Sequence, residues 1–126
     1  MGNIRSFREL KVWQKSMEVA MQVFELTRRF PAEEKFSLTD QVRRSSRSVP
    51  ANISEAWRKR RYPAAFVSKL NDAEGEAAET QTHLEIAQRC KYLTAQEVAV
   101  LDQACEEVLA MLTDMASHPD QWTIRK

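Results

Sequence analysis

Between Gln41 and Arg61 a helical apolar repeat runs straight through a proline. Val42, Val49, Ile53 and Trp57 recur at steps of seven, four and four, with Pro50 in their midst. Residues at this spacing share one helix face, and an apolar face needs a core to cover it. An internal proline removes one backbone hydrogen bond and crowds the carbonyl four residues back, here that of Ser46, at about 3 kcal/mol. The segment is therefore either one kinked helix or two helices. The apolar phase holds across Pro50, and Ser45, Ser46, Ser48, Asn52 and Ser54 can bond freed backbone groups, so the kinked, continuous helix is favoured.

Few, long elements are expected throughout. Two glycines and four prolines among 126 residues leave little material for turns, and no alternating strand pattern occurs. Leu10, Trp13, Met17, Ala20, Phe24 and Thr27 form the seam of a first helix over about residues 6–30, closed by Pro31. Ser37 with Asp40 is an N-cap signal for the second, proline-bearing helix over 38–61. Pro63 suits the first turn of a third helix over 63–92, with its apolar line through Phe66, Leu70, Ala73, Ala77, Thr80, Leu84 and Ala87. Thr94 and Glu97 spell a capping box for a fourth helix over 95–116, along which Val98, Leu101, Cys105, Val108, Leu112 and Met115 keep heptad spacing. Residues 117–126, with Trp122, read as a loose tail. The fold class is all-α: a single domain over residues 1–126, an antiparallel up-down-up-down four-helix bundle whose second helix is kinked at Pro50.

The run QVRRSSRSVPANISEAWRKRR resembles the signature, approximately QIRRAAVSIPANIAEG, of the four-helix-bundle proteins encoded by intervening sequences in bacterial 23S ribosomal RNA genes. The accessory proteins of diversity-generating retroelements are similar. Phe7, Leu10, Val12 and Trp13 match the opening F-x-x-L-x-V-W, Phe30, Pro31 and Glu34 match F-P-x-x-E, and Glu79, Thr80, Gln81 and Leu84 match E-T-Q-x-x-L. The chain departs at Ser37 and Ala56, where the family prefers glycine, and at Gly75 and Glu76, where it prefers G-S. Arg47 stands where an apolar residue is usual. The resemblance implies a homo-oligomer, a pentamer by analogy with the retroelement proteins, and a protein partner such as a reverse transcriptase. Val19, Val23, Leu26, Val100, Leu109 and Met111, lying off the seams, add apolar surface that either self-association or a wide core-facing stripe of a monomer would cover.

Charge is the feature that points to a ligand. Residues 1–61 hold fourteen Lys and Arg against seven Asp and Glu, and residues 62–126 hold five against eleven, so the formal +1 divides into +7 and −6. Projected on a helix, Arg43, Arg47, Arg58 and Arg61 fall within an arc of roughly 60° beside the apolar face. Together with Arg44, Lys59 and Arg60 they form a cationic stripe suited to a phosphate backbone, giving salt-dependent binding of RNA or DNA with little base readout. Tyr62 is the candidate for stacking on a base, while Trp13 and Trp57 are read as core anchors. A competing use exists for the arginines. Asp72, Glu76 and Glu79, with His83, form an acidic stripe on the third helix that can pair with them inside one bundle or between copies.

Chemistry beyond binding has no support in the sequence. There is no P-loop, nucleophile elbow or Glu-x-x-His pair, and Glu33-Glu34 and Glu106-Glu107 are sequence neighbours that point apart on a helix. His83 and His118 lack metal-ligand spacing with Cys90 and Cys105: His83 and Cys90 alone lie about 10 Å apart along a helix axis. Both cysteines read as reduced core thiols in a cytoplasmic chain without a leader or membrane span. The expectation is a non-catalytic, cofactor-free, oligomeric bundle that binds nucleic acid, serving as an accessory or scaffold in a nucleoprotein complex. The alternative is a protein–protein interaction module whose arginines pair with acidic residues inside the oligomer.

Overall fold

The computed structural model describes residues 4–123. Four α-helices account for most of it: α1 (Lys11–Thr27), α2 (Leu38–Arg58), α3 (Pro63–Arg89) and α4 (Ala95–Ser117). Short 3-10 turns occur at Phe7–Glu9, Ala32–Glu34 and Pro119–Gln121, and there is no strand among the described residues. Each helix packs on its neighbours in chain order, and α4 returns to α1, closing an up-down-up-down bundle. The largest interface joins α2 to α3, and the smallest joins α1 to α4.

Three helices bury the faces their spacing predicts. On α3 all seven residues of the apolar line are buried, and on α4 all six. On α2 the same holds for Val42, Val49, Ile53 and Trp57, and Pro50 itself is buried within one continuous helix. Serine and asparagine side chains bond backward along this helix: Ser48 Oγ donates to the Arg44 carbonyl at 2.8 Å and Asn52 Nδ2 to that of Ser48 at 2.9 Å. Ser54 Oγ donates to the carbonyls of Pro50 and Ala51. Among the described residues no side chain donates to the Ser46 carbonyl, which the proline deprives of its partner.

The first helix is rotated from the expected seam. Its buried residues are Val12, Ser16, Val19, Ala20, Val23 and Thr27, whereas Trp13, Met17 and Phe24 are half-buried on its flank. Val19 and Val23, expected off the seam, belong to the core. The helix also starts later and stops earlier than 6–30, with a 3-10 turn before Leu10 and tight turns through Phe30 after Thr27.

The bundle ends differ in construction. Ser37 makes no side-chain cap; the Glu34 carboxylate does the work, accepting from the Leu38 N–H at 3.2 Å and the Ser37 hydroxyl at 2.6 Å. The Thr94–Glu97 capping box is present in both directions. α3 closes through Lys91, whose φ of 67° is the left-handed residue that stops the helix. At the far end residues 117–123 are less loose than expected: Pro119–Gln121 is a 3-10 turn against α3, and Trp122 packs on the core. Residues 124–126 lie outside the described residues.

The core is in two parts. One apolar cluster gathers around Ile53, Trp57, Phe66, Leu70 and Leu112, the other around Val23, Val42, Leu84 and Leu101. Between them lies a polar waist in which Ser45 and Thr80 hydroxyls are 2.8 Å apart, with Ser16 and Ser46 also buried. Cys105 borders this waist and is buried, its thiol pushed up to about 12, first by burial and then by Asp102 and Glu106. Cys90 is exposed, contrary to its reading as a core thiol, and both cysteines are free.

Candidate nucleic-acid interface

The cations of the basic segment divide by what they touch. Arg43 turns toward α1: its Nε donates to Thr27 Oγ1 at 2.7 Å, and its guanidinium lies 4.9 Å from the Phe24 ring centre. It fastens α1 to α2 and is half-buried. Arg60 is occupied as well, stacked 3.4 Å over Trp57 while its Nε donates to the Trp57 carbonyl. Lys59 approaches Glu55 at 4.0 Å, and Lys69 shares that carboxylate at 3.6 Å.

Four arginines are different. Arg44, Arg47, Arg58 and Arg61 are exposed, and among the described residues none has a carboxylate within ion-pair distance. The acidic stripe does not take them inside the chain. Asp72 pairs with Lys69 at 3.7 Å, and neither Glu76 nor Glu79 makes an ion pair among the described residues.

The helix ends three residues before Arg61, so the expected arc is broken. Lys59 caps α2, and Arg60 to Tyr62 form the turn into α3. Tyr62, just before Pro63, takes the extended backbone that a following proline favours. The residue is 61% exposed, which leaves its ring accessible for stacking. The turn at Phe7–Glu9 packs against α2 at this same end, so exposed Arg5, Arg8 and Lys11 join the cations of the α2–α3 turn. The helical projection missed these three because they belong to another element; an up-down bundle, however, brings the start of its first helix to the end of its second.

A cleft between α2 and α3 brings Arg44 together with unpaired carboxylates. Gln41, Arg44 and Ser48 line one wall, and Glu76, Glu79 and His83 the other. Burial raises the Glu76 carboxyl above its ordinary range, and neighbouring Glu79 adds to this while Arg44 opposes it. His83 Nδ1 is the only buried side-chain nitrogen or oxygen without a hydrogen-bond partner among the described residues. The two rows share a three-and-four spacing, the one sequence signal that could have revealed the cleft.

On the opposite side, Met21 and Val100 stand 55% and 52% exposed over a groove between α1 and α4 that Leu26 and Leu101 also line. No described helix is long and apolar enough to cross a membrane. No described group of three or more His, Cys, Asp or Glu side chains is arranged to hold a metal ion.

No functionally curated protein matches the chain. A crystal structure of a protein of unknown function from the S23 ribosomal protein family of Bacteroides thetaiotaomicron is similar to it, with 33% identity and a TM-score of 0.75, over 83% of this chain and 97% of that one. The family model described as 23S rRNA-intervening sequence protein matches residues 8–114, which include all of α1, α2 and α3 and most of α4. The chain belongs to the 23S rRNA-intervening sequence protein family.

Proposed function

We propose that this chain is a non-catalytic helical-bundle protein of the cytoplasm that binds RNA, or another nucleic acid, through exposed cations on and after α2. The carrying observation is that Arg44, Arg47, Arg58 and Arg61 are exposed without an ion-pair partner among the described residues. Guanidinium groups left to solvent on one side of a domain bind phosphate bidentately and release counterions, so affinity falls steeply with salt. Tyr62 adds a stacking surface beside them. Arg43 and Arg60 act as structural side chains in this reading, and Lys59 contributes charge only.

The bundle works as a homo-oligomer, and the apolar groove of Met21, Leu26 and Val100 supports that part of the reading. Repeating a weak basic patch around an oligomer makes binding multivalent. Its place is as an accessory or scaffold in a nucleoprotein complex, in the manner of the retroelement accessory proteins it resembles. Fluorescence anisotropy with a labelled RNA across a salt series tests the proposal. Binding at low salt that weakens with salt, and weakens again in Arg58→Glu/Arg61→Glu, is the expected result. Absence of binding at low salt, or indifference to that double change, overturns it.

A second reading has its own observation: Glu76 and Glu79, like the arginines, find no ion-pair partner among the described residues. A copy-to-copy contact would satisfy both rows at once. Under that reading Arg44→Glu/Arg47→Glu dissociates the oligomer on a sizing column, and an unchanged elution volume rejects it.

A further inference from the structure

Carboxylates beside a phosphate-binding stripe are a liability unless they accept hydrogen bonds from the ligand. The α2–α3 cleft, about 350 Å3, sets Arg44 across from Glu76 and Glu79. Inside the chain these carboxylates make no ion pair among the described residues, and their side-chain oxygens receive no described hydrogen bond. The wall they stand on also holds His83, with its buried and unpartnered Nδ1. The O–H of Ser48 is already spent on the Arg44 carbonyl, so the cleft's neutral acceptors are the Ser48 oxygen and the Gln41 amide, and Glu76 and Glu79 are its charged ones. An uncompensated acceptor pair next to an unpaired guanidinium suits a ligand that carries donors and an anion a short distance apart.

We propose that this cleft receives a splayed-out base of a single-stranded nucleic acid, guanine in preference to the others, with the adjoining phosphate on Arg44. The proposal rests on the nucleic-acid reading above and adds base selectivity to it. Guanine presents two adjacent donors, N1–H and the N2 amino group, on its Watson–Crick edge, and one carboxylate accepts both at once. Uracil presents one donor flanked by two carbonyl oxygens, which a carboxylate repels. Unpaired bases expose these edges, whereas a duplex hides them.

The sign of a mutational effect separates this from simple electrostatics. Anisotropy is measured for a short labelled oligouridylate and for the same length with scattered guanines, on the full chain and on Glu76→Gln/Glu79→Gln. Both changes lie on the surface of a helix, and circular dichroism checks that the variant is folded. The wild type is expected to prefer the guanine-containing strand by about tenfold, the scale of one bidentate base contact. In the variant that preference disappears, while affinity for oligouridylate rises because negative charge beside the phosphates is gone. Equal wild-type affinity for the two strands, or a variant that binds both more tightly by the same factor, overturns the base pocket and leaves the nucleic-acid reading standing. If the wild type binds neither strand at low salt, both fail together. Arg44→Ala serves as the second variant, expected to weaken both strands, and a guanine preference unaffected by Glu76→Gln/Glu79→Gln rejects the cleft as its source.

Discussion

The Tyr92 hydroxyl donates a 2.8 Å hydrogen bond to Glu34 Oε2, tying the turn between α3 and α4 to the turn between α1 and α2. The same carboxylate caps α2 through the Leu38 N–H, so one side chain starts a helix and joins two connections. Tyr92 also packs its ring 5.3 Å from that of Phe30, which closes this end of the core.

This bond gives stability a particular pH dependence. The hydroxyls of Ser37 and Tyr92 and the Leu38 N–H lower the Glu34 pKa, so its contribution is complete above the ordinary carboxylate range and is lost as pH falls through the depressed folded value. Bonding to Glu34, followed by burial, raises the Tyr92 pKa to about 12 from its ordinary 10.0. Its contribution is complete below 10.0 and is lost as pH rises toward about 12. Tyr92→Phe should lower the melting temperature at neutral pH, with the deficit shrinking both in acid and above pH 10. Thermal melts of the two proteins across pH test this, and a deficit independent of pH contradicts it.

Two small residues on α3 should respond oppositely to enlargement. Ala73 is fully buried in the close contact with α2, so Ala73→Leu must displace neighbours, at a cost of about 1–3 kcal/mol. Gly75 has nothing within 4 Å of where a Cβ would sit, and its backbone is helical, so Gly75→Ala should stabilise by about 0.5–1 kcal/mol. Urea midpoints report both changes. A stabilising Ala73→Leu would contradict the packing described here.

Arg43 and Arg58 should separate stability from ligand binding. Arg43→Ala removes the bond to Thr27 and the contact with Phe24, and should cost about 1 kcal/mol. Arg58→Ala leaves an exposed site and should change stability by less than about 0.5 kcal/mol. In a salt series Arg58→Ala should reduce the slope by about one counterion if it meets a phosphate, and Arg43→Ala should not. A shared loss of stability in both variants would remove the distinction between the two arginines.

On α2 the apolar residues form a narrow stripe with polar residues on either side, and on α3 and α4 the lines at three-and-four spacing are the ones buried. On α1 Val12, Trp13, Met17, Val19, Ala20, Met21, Val23, Phe24 and Leu26 occupy most of the circumference, so hydropathy alone leaves the phase open. A seam through the aromatic residues puts Trp13 and Phe24 inside, whereas the structure buries Ser16, Val19 and Val23 and moves both rings to the flank. The tie of Arg43 to α1 is illegible for a related reason: a projection of one helix omits Thr27 and Phe24, which stand on another. The end of α2 was extended to Arg61 because Lys and Arg are good helix formers. The Arg60 stack on Trp57 and the extended Tyr62 ahead of Pro63 override that propensity.

The polar waist is the part of the core most sensitive to partial change. Ser45 Oγ and Thr80 Oγ1 lie 2.8 Å apart, and each is also placed to donate along its own helix instead, Ser45 to the Val42 carbonyl and Thr80 to that of Glu76. A hydroxyl can donate only once, so at any moment one of the two must serve as acceptor in the shared bond. Thr80→Val keeps the shape and removes the hydroxyl, leaving Ser45 with its helix carbonyl alone; Ser45→Ala does the reverse. Each single change should cost about 1–2 kcal/mol, and the double variant should cost less than their sum by about 1 kcal/mol, because the partner left unsatisfied by one change is removed by the other. Denaturant unfolding of the four proteins measures this coupling. Strict additivity would mean that the two hydroxyls act independently, each held by its own helix and not by the other.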